Sequence, residues 1–143
     1  MYKRQLYSQV VISHPQGKLK EFRKKVYLKG KKARVDFEID HLRQERVEEI
    51  KNAINQIIAE DHKISVHFMP REEALKHPEL IRTKVNLIPD YVKIIRVVEI
   101  ESVDIEADGG VHVASTKEIG EFVPLKSENR GKNNKRLYFT VKP

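Results

Sequence analysis

The spacing of hydrophobic residues predicts one long helix preceded by a β-hairpin. Apolar side chains recur every three or four positions over residues 42–60, which is typical of an amphipathic helix. Asp40 stands where the N-cap of that helix is expected. The hairpin is predicted from an apolar run at 26–28 and an alternating strand at 34–39, with Lys29-Gly30-Lys31 between them.

The rest of the chain alternates between short β-rich runs and turn signals. The further predicted elements are a strand at 63–69, a short helix opened by Pro70 and ended near Pro78, a loop at 79–91, a β-rich stretch at 92–106, and strands at about 119–127 and 136–142. Residues 6–13 are apolar without a clear period and fit either a strand or the end of a helix. The pattern predicts a single α+β domain, an antiparallel-rich sheet with helices packed on one side.

Composition narrows the class of protein. A length of 143 residues corresponds to one domain. The absence of cysteine excludes disulfides, a thiolate nucleophile and a Cys-ligated metal site. No apolar run reaches the ~18 residues that cross a bilayer, and no signal peptide opens the chain. We therefore expect a cytoplasmic protein that does not bind a membrane.

Charge is distributed unevenly along the chain, whose net charge is +7. Residues 1–35 contain eleven Lys and Arg and a single acid, whereas residues 36–116 contain ten Lys and Arg and seventeen acids. Residues 117–143 are basic again, with seven Lys and Arg and three acids. Basic ends favour an anionic partner, for which RNA is the natural candidate. On charge alone, a surface that only keeps the protein in solution explains the pattern equally well.

Candidate chemistry is concentrated in residues 104–120. A predicted strand runs directly into Asp108-Gly109-Gly110-Val111-His112. Consecutive glycines permit backbone conformations that other residues resist. A carboxylate and an imidazole can both bind zinc, but a catalytic zinc usually has three protein ligands. The residues alone therefore leave open whether this segment is a metal-binding loop or an ordinary turn.

The same segment resembles the alanyl-tRNA editing domain, in which the loop typically reads Cys- or Asp-Gly-Gly-Thr-His-Val and precedes Thr-x-Glu-Ile-Gly. Here the corresponding residues are Asp-Gly-Gly-Val-His-Val and Thr-Lys-Glu-Ile-Gly. The resemblance covers roughly residues 24–142 and is strongest over 104–136, where it includes the basic loop Arg-Gly-Lys-Asn-Asn-Lys-Arg. The family includes the second additional domain of threonyl- and alanyl-tRNA synthetases and freestanding alanyl-tRNA editing proteins.

This resemblance implies a zinc-dependent hydrolase that removes serine or glycine from mischarged tRNA for alanine. The zinc would position the substrate or its attacking water. By the match to the family loop, His112 would be a zinc ligand and Asp108 would stand at the family's Cys or Asp position, while Gly109, Gly110 and Val111 would shape the loop. Candidate RNA contacts are the four basic residues of the second loop: Arg130, Lys132, Lys135 and Arg136. DNA is not an expected partner.

Two departures from the family pattern concern the zinc site. Val111 replaces the family's Thr, and the family's HxxxH pair, which would supply two ligands from one helix, has no counterpart before Leu6. Residues 1–5 read as the end of a sequencing-library transposon adaptor translated from a GTG start. We therefore predict a non-native leader at 1–5 and an editing-like domain at 6–143 that is truncated at its N-terminus. The alternative is an authentic basic N-terminus on a shortened homologue.

Three functions remain open from the sequence. The first is a fragment of a zinc-dependent editing hydrolase, inactive or weakly active as it stands. The second is a non-catalytic tRNA-binding or interaction module of the same fold. The third is a basic α+β domain with an unrelated role that shares only the fold.

Overall fold

The computed structural model describes residues 23–29, 32–37, 39–77, 80, 88–107 and 112–142, with backbone alone for 23–29. In chain order its elements are β1 (Arg23–Lys29), β2 (Lys32–Phe37), α1 (Gln44–Ala59), β3 (Ile64–Pro70), α2 (Arg71–Ala74), β4 (Ile94–Ile100), β5 (Asp104–Ala107), a 3₁₀ helix (Thr116–Ile119), β6 (Glu121–Asn129) and β7 (Lys135–Lys142). None of the helices within these ranges is long and apolar enough to cross a membrane.

The strands form two antiparallel sheets. One has four strands in the order β1-β2-β7-β6, and the other has three in the order β3-β4-β5. The predicted α+β class is confirmed. The division of the strands into two sheets was not predicted, because strand periodicity indicates which side chains share a face but not which strands pair.

The first predicted hairpin and the long helix are both confirmed. Lys29 pairs with Lys32, and the turn residues between them lie outside the described part of the chain. The predicted N-cap at Asp40 is wrong. Helix α1 begins later, its N-cap is Arg43, and no side chain caps it there. The carbonyl of Arg43 accepts the N–H groups of Arg46 and Val47.

The β-rich stretch at 92–106 is a hairpin. Strands β4 and β5 are joined by a tight turn at 101–103, where Ser102 has a φ of 62°. Neither Gly nor Pro marks this turn, and a Ser in the left-handed region is unusual enough that composition did not reveal it. The predicted strands at 119–127 and 136–142 correspond to β6 and β7. The predictions for residues 1–13 and most of the 79–91 loop lie outside the described residues.

One hydrophobic core joins the helix to both sheets. Its buried members come from α1, from the 3₁₀ helix, from the four-stranded sheet and from the end of the three-stranded sheet: Ala33, Val35, Phe37, Val47, Ile50, Ile54, Ile58, Ile64, Val98, Ile100, Ile119, Phe122, Leu137 and Phe139. Asn55 fixes α1 against β6, because its side-chain amide donates to the carbonyl of Phe122 at 3.0 Å and its oxygen accepts the N–H of Phe122 at 2.8 Å. This shared core makes the described chain one domain.

A second, smaller cluster covers the opposite face of the three-stranded sheet. It contains Ala74, Leu80, Ile95 and Val97, with Ile105 and Ala107 packed against it. One face of β5, the strand that leads into the glycine-rich loop, is therefore packed against apolar side chains. A strand held in this way gives the loop a defined starting point.

Candidate functional site

Strand β5 carries two buried acids toward the glycine-rich loop. Asp104 and Glu106 are only 7% and 3% exposed. They lie opposite Ile100 and Val98 of β4, on the face away from Ile105 and Ala107. The sequence analysis did not single out these acids, although the alternation Asp-Ile-Glu-Ala would have placed them together on one face.

The loop itself, with Asp108, Gly109, Gly110 and Val111, lies outside the described residues. His112 is the first described residue after it, and its side chain is half-buried. The chain that follows, which we call the post-loop segment (residues 113–119), packs at once against the rest of the domain. Val113 contacts the main core, and the carbonyl of Ala114 accepts the N–H of Ile64 at 2.9 Å.

Thr116 ties the post-loop segment to the C-terminal end of α1. Its side chain is fully buried. The hydroxyl donates to the carbonyl of Ile57 at 2.9 Å and accepts the N–H of His62 at 2.8 Å. The backbone N–H of Thr116 donates to the carbonyl of His62 at 2.9 Å. The hydroxyl thus satisfies two backbone groups that would otherwise be buried without partners in this corner.

Glu118 closes the turn between His112 and the 3₁₀ helix. Its Oε2 accepts the N–H of Ala114 at 2.8 Å and the N–H of Ser115 at 3.0 Å. Together with Ser115 it forms a capping box at the start of the 3₁₀ helix. The N–H of Lys117 adds a longer bond of 3.3 Å to Asp61. The Thr-x-Glu spacing that this chain shares with the family therefore has a local structural reason, because Thr116 and Glu118 each satisfy specific backbone groups.

The described residues contain no group of three His, Cys, Asp or Glu side chains that could hold a metal ion. His62 lies 2.6 Å from Glu60, and this hydrogen bond lowers the pKa of the Glu60 carboxyl. His67 contacts Glu99 at 2.9 Å. His112 is the one predicted zinc ligand that the structure places, and its ligand role stays a prediction.

The four predicted RNA contacts fall into two groups. Arg130 and Lys132 are exposed in the turn between β6 and β7. Lys135 is buried, and its ammonium donates to the carbonyl of Gly131 at 2.6 Å. Arg136 is also buried and makes two hydrogen bonds to Asp36 of β2, at 2.7 and 3.1 Å. The exposed Arg130 also lies 3.8 Å from Glu128, so three of the four cations have partners within the domain, and contact with RNA stays a prediction for all four.

The sequence has relatives that bear on these features. Residues 95–138 match the family described as the threonyl and alanyl tRNA synthetase second additional domain. This range runs from β4 through the glycine-rich loop and the post-loop segment into β7. It therefore contains the candidate site and the Arg130–Arg136 turn.

Longer matches connect the chain with editing proteins. It is 44% identical over 117 residues to the alanyl-tRNA editing protein AlaX-M of Saccharolobus solfataricus, a match that covers 82% of this chain and 48% of the relative. For the AlaX-M protein of Methanosarcina barkeri the identity is 36% over 109 residues, covering 76% and 45%. The alanine–tRNA ligase of Pyrococcus abyssi is 33% identical over 110 residues, covering 75% of this chain and 12% of the ligase.

These matches confirm the resemblance to the alanyl-tRNA editing family. The chain is a homologue of alanyl-tRNA editing proteins, and its residues 95–138 match the threonyl and alanyl tRNA synthetase second additional domain. It spans about half the length of the editing proteins that it matches.

Proposed function

We propose that this chain acts in alanyl-tRNA editing by hydrolysing the ester between serine or glycine and the tRNA for alanine. The observation that carries the proposal is the 44% identity to an alanyl-tRNA editing protein, together with the packing of β5 and of the post-loop segment, which flank the loop that ends at His112. Editing meets a chemical need, because a small apolar pocket discriminates poorly against a substrate that differs only by an added hydroxyl.

Zinc is part of this proposal as the resemblance implies it. The ion would be held by His112 and Asp108 and would supply Lewis-acid activation of a water or positioning of the ester. The fit is incomplete within the described residues, which provide no set of three ligands. The chain's own contribution is structural: β5 leads into the loop, and the post-loop segment holds His112 from its C-terminal side.

The proposed partner is mischarged tRNA for alanine, met in the cytoplasm. Its single-stranded end can enter a protein site with unstacked bases, as sequence-specific RNA recognition generally requires. The exposed Arg130 and Lys132 are the best placed of the four predicted basic contacts for the phosphate backbone, since their side chains reach solvent. We place neither DNA nor a membrane among the partners.

Deacylation measurements test the function directly. The full chain, supplied with zinc, is expected to hydrolyse seryl-tRNA for alanine weakly, because its described residues provide no set of three metal ligands, and to spare correctly charged alanyl-tRNA. His112→Ala should lower the rate by on the order of 100-fold if the imidazole is a metal ligand. His77→Ala, at an exposed histidine after α2, is the matched control and should leave the rate unchanged. Equal rates for the His112→Ala variant and the parent chain would exclude His112 from the site.

A non-catalytic tRNA-binding module is the second candidate, and the exposed Arg130–Lys132 turn favours it. For either function, Arg130→Ala combined with Lys132→Ala should weaken tRNA binding. It should also reduce the slope of log affinity against log salt by roughly 0.7–0.9 per lost phosphate contact. Lys76→Ala, at an exposed lysine beyond α2, serves as the charge control. Binding titrations from low to physiological salt measure both quantities, and an unchanged slope would remove the turn from the interface.

A further inference from the structure

We propose that Glu118 is a positioning residue that sets the orientation of His112. The inference rests on the proposed function for the role of His112, but the contacts that support it are independent of any metal. Glu118 acts on the backbone that begins two residues after His112.

The backbone after His112 is held at both polar groups of Ala114. The N–H donates to the Glu118 carboxylate at 2.8 Å, and the carbonyl accepts from Ile64 at 2.9 Å. Val113, which stands between His112 and Ala114, packs its side chain against the main core. These contacts fix the peptide units on both sides of Ala114, and the Cα of His112 lies only two residues away.

The carboxylate is well suited to this function because it is charged and because a single one of its oxygens accepts two hydrogen bonds. One oxygen, Oε2, accepts both the Ala114 and the Ser115 N–H. Hydrogen bonds to an ionised acceptor are stronger than neutral ones. Two successive amides that converge on one oxygen restrain φ and ψ of Ala114, which joins them, whereas a single bond would permit rotation there.

Glu118 can also be changed without disturbing the core. Its side chain is exposed, whereas the neighbouring Thr116 and Ile119 are buried. A substitution at Glu118 therefore removes the two backbone bonds without leaving a cavity. This separates positioning from folding, which no substitution at Thr116 would do.

The test compares the full chain with Glu118→Ala, Glu118→Gln and the control Glu121→Gln, at the exposed first residue of β6. Nuclear magnetic resonance follows amide exchange at Ala114 and Ser115, and the ring and backbone signals of His112. In Glu118→Ala, exchange at Ala114 should accelerate by on the order of tenfold or more. The His112 signals should shift and show greater motion. Glu118→Gln keeps one neutral acceptor, so its exchange rate at Ala114 and its His112 motion should lie between those of Glu118→Ala and of the parent chain. Glu121→Gln should match the parent chain in both.

Unchanged His112 signals in Glu118→Ala, with faster Ala114 exchange, would overturn the proposal and leave Glu118 as a cap of the 3₁₀ helix alone. Seryl-tRNA hydrolysis by the same variants adds a second readout, with a fall in kcat at nearly constant KM expected. Zinc addition to the parent chain tests the proposed function separately. If zinc leaves the His112 signals unmoved, the metal role fails, while the motion of His112 still decides the positioning role.

Discussion

Replacing Asp36 by alanine is expected to lower the free energy of unfolding by about 3 kcal/mol, the largest effect of any single change considered. Asp36 and Arg136 lie opposite each other on β2 and β7, with both side chains only 10% exposed. Their two hydrogen bonds, at 2.7 and 3.1 Å, raise the pKa of Arg136. Without Asp36, the guanidinium would remain buried and charged with its main acceptor removed.

Urea unfolding monitored by circular dichroism would measure this loss as a lower midpoint at constant slope. The double variant Asp36→Ala/Arg136→Met should recover most of it, because replacing both members of a buried ion pair is far less costly than breaking the pair. Glu49→Ala, which breaks the exposed pair with Arg46, provides the matched control and should change stability by less than about 1 kcal/mol. A single Asp36→Ala variant as stable as that control would show that the pair contributes little.

Thr116→Val is expected to lower the free energy of unfolding by about 2–3 kcal/mol. Valine has nearly the shape of threonine, so the core loses no volume. The carbonyl of Ile57 and the N–H of His62 would both lose the hydroxyl that satisfies them, and each such loss costs about 1 kcal/mol or somewhat more. Thr116→Ser keeps the hydroxyl and removes one methyl, so its cost should be about 1 kcal/mol.

The diagnostic result is therefore an order of stability: the parent chain is the most stable, Thr116→Ser is less stable and Thr116→Val is the least stable. Urea midpoints again measure it. It also bears on function, because the post-loop segment would lose its attachment to α1 in the Val variant. The motion of His112 should then increase more than in Glu118→Ala. A Val variant more stable than the Ser variant would mean that packing, rather than the hydroxyl, holds this corner together.

The sequence was most informative where periodicity is strong. Helix α1 was predicted at 42–60 and extends over Gln44–Ala59, because its apolar side chains recur at helical spacing and are buried in the main core. The hairpin of β1 and β2 and the strands β3, β6 and β7 were likewise predicted within a few residues. The spacing of apolar residues reflects which face of a helix or strand is buried, and the residues on the predicted apolar faces are indeed buried in the core.

Errors arose where the decisive partner is remote in sequence or the local signal is weak. The turn at 101–103 carries no Gly or Pro, so β4 and β5 were not separated. The pattern predicts Asp40 as the helix cap, whereas the helix begins at Gln44 and its N-cap is Arg43. The resemblance makes Arg136 a candidate RNA contact, which stays a prediction, but nothing in the sequence pointed to its acceptor Asp36, which stands 100 residues earlier in the chain. Pairing over such separations is decided by strand order and not by local pattern.

By itself, the sequence determined the α+β class, the principal helix and strands, and the resemblance carried by residues 104–120. Each of these depends only on local spacing and residue type. Only the tertiary structure decided how the strands divide into two sheets and which basic side chains are engaged inside the domain. It also showed that Thr116 and Glu118 hold the chain after His112. These features depend on groups from α1, β2 and β3 meeting the C-terminal half of the chain, and such meetings are set by packing around one core.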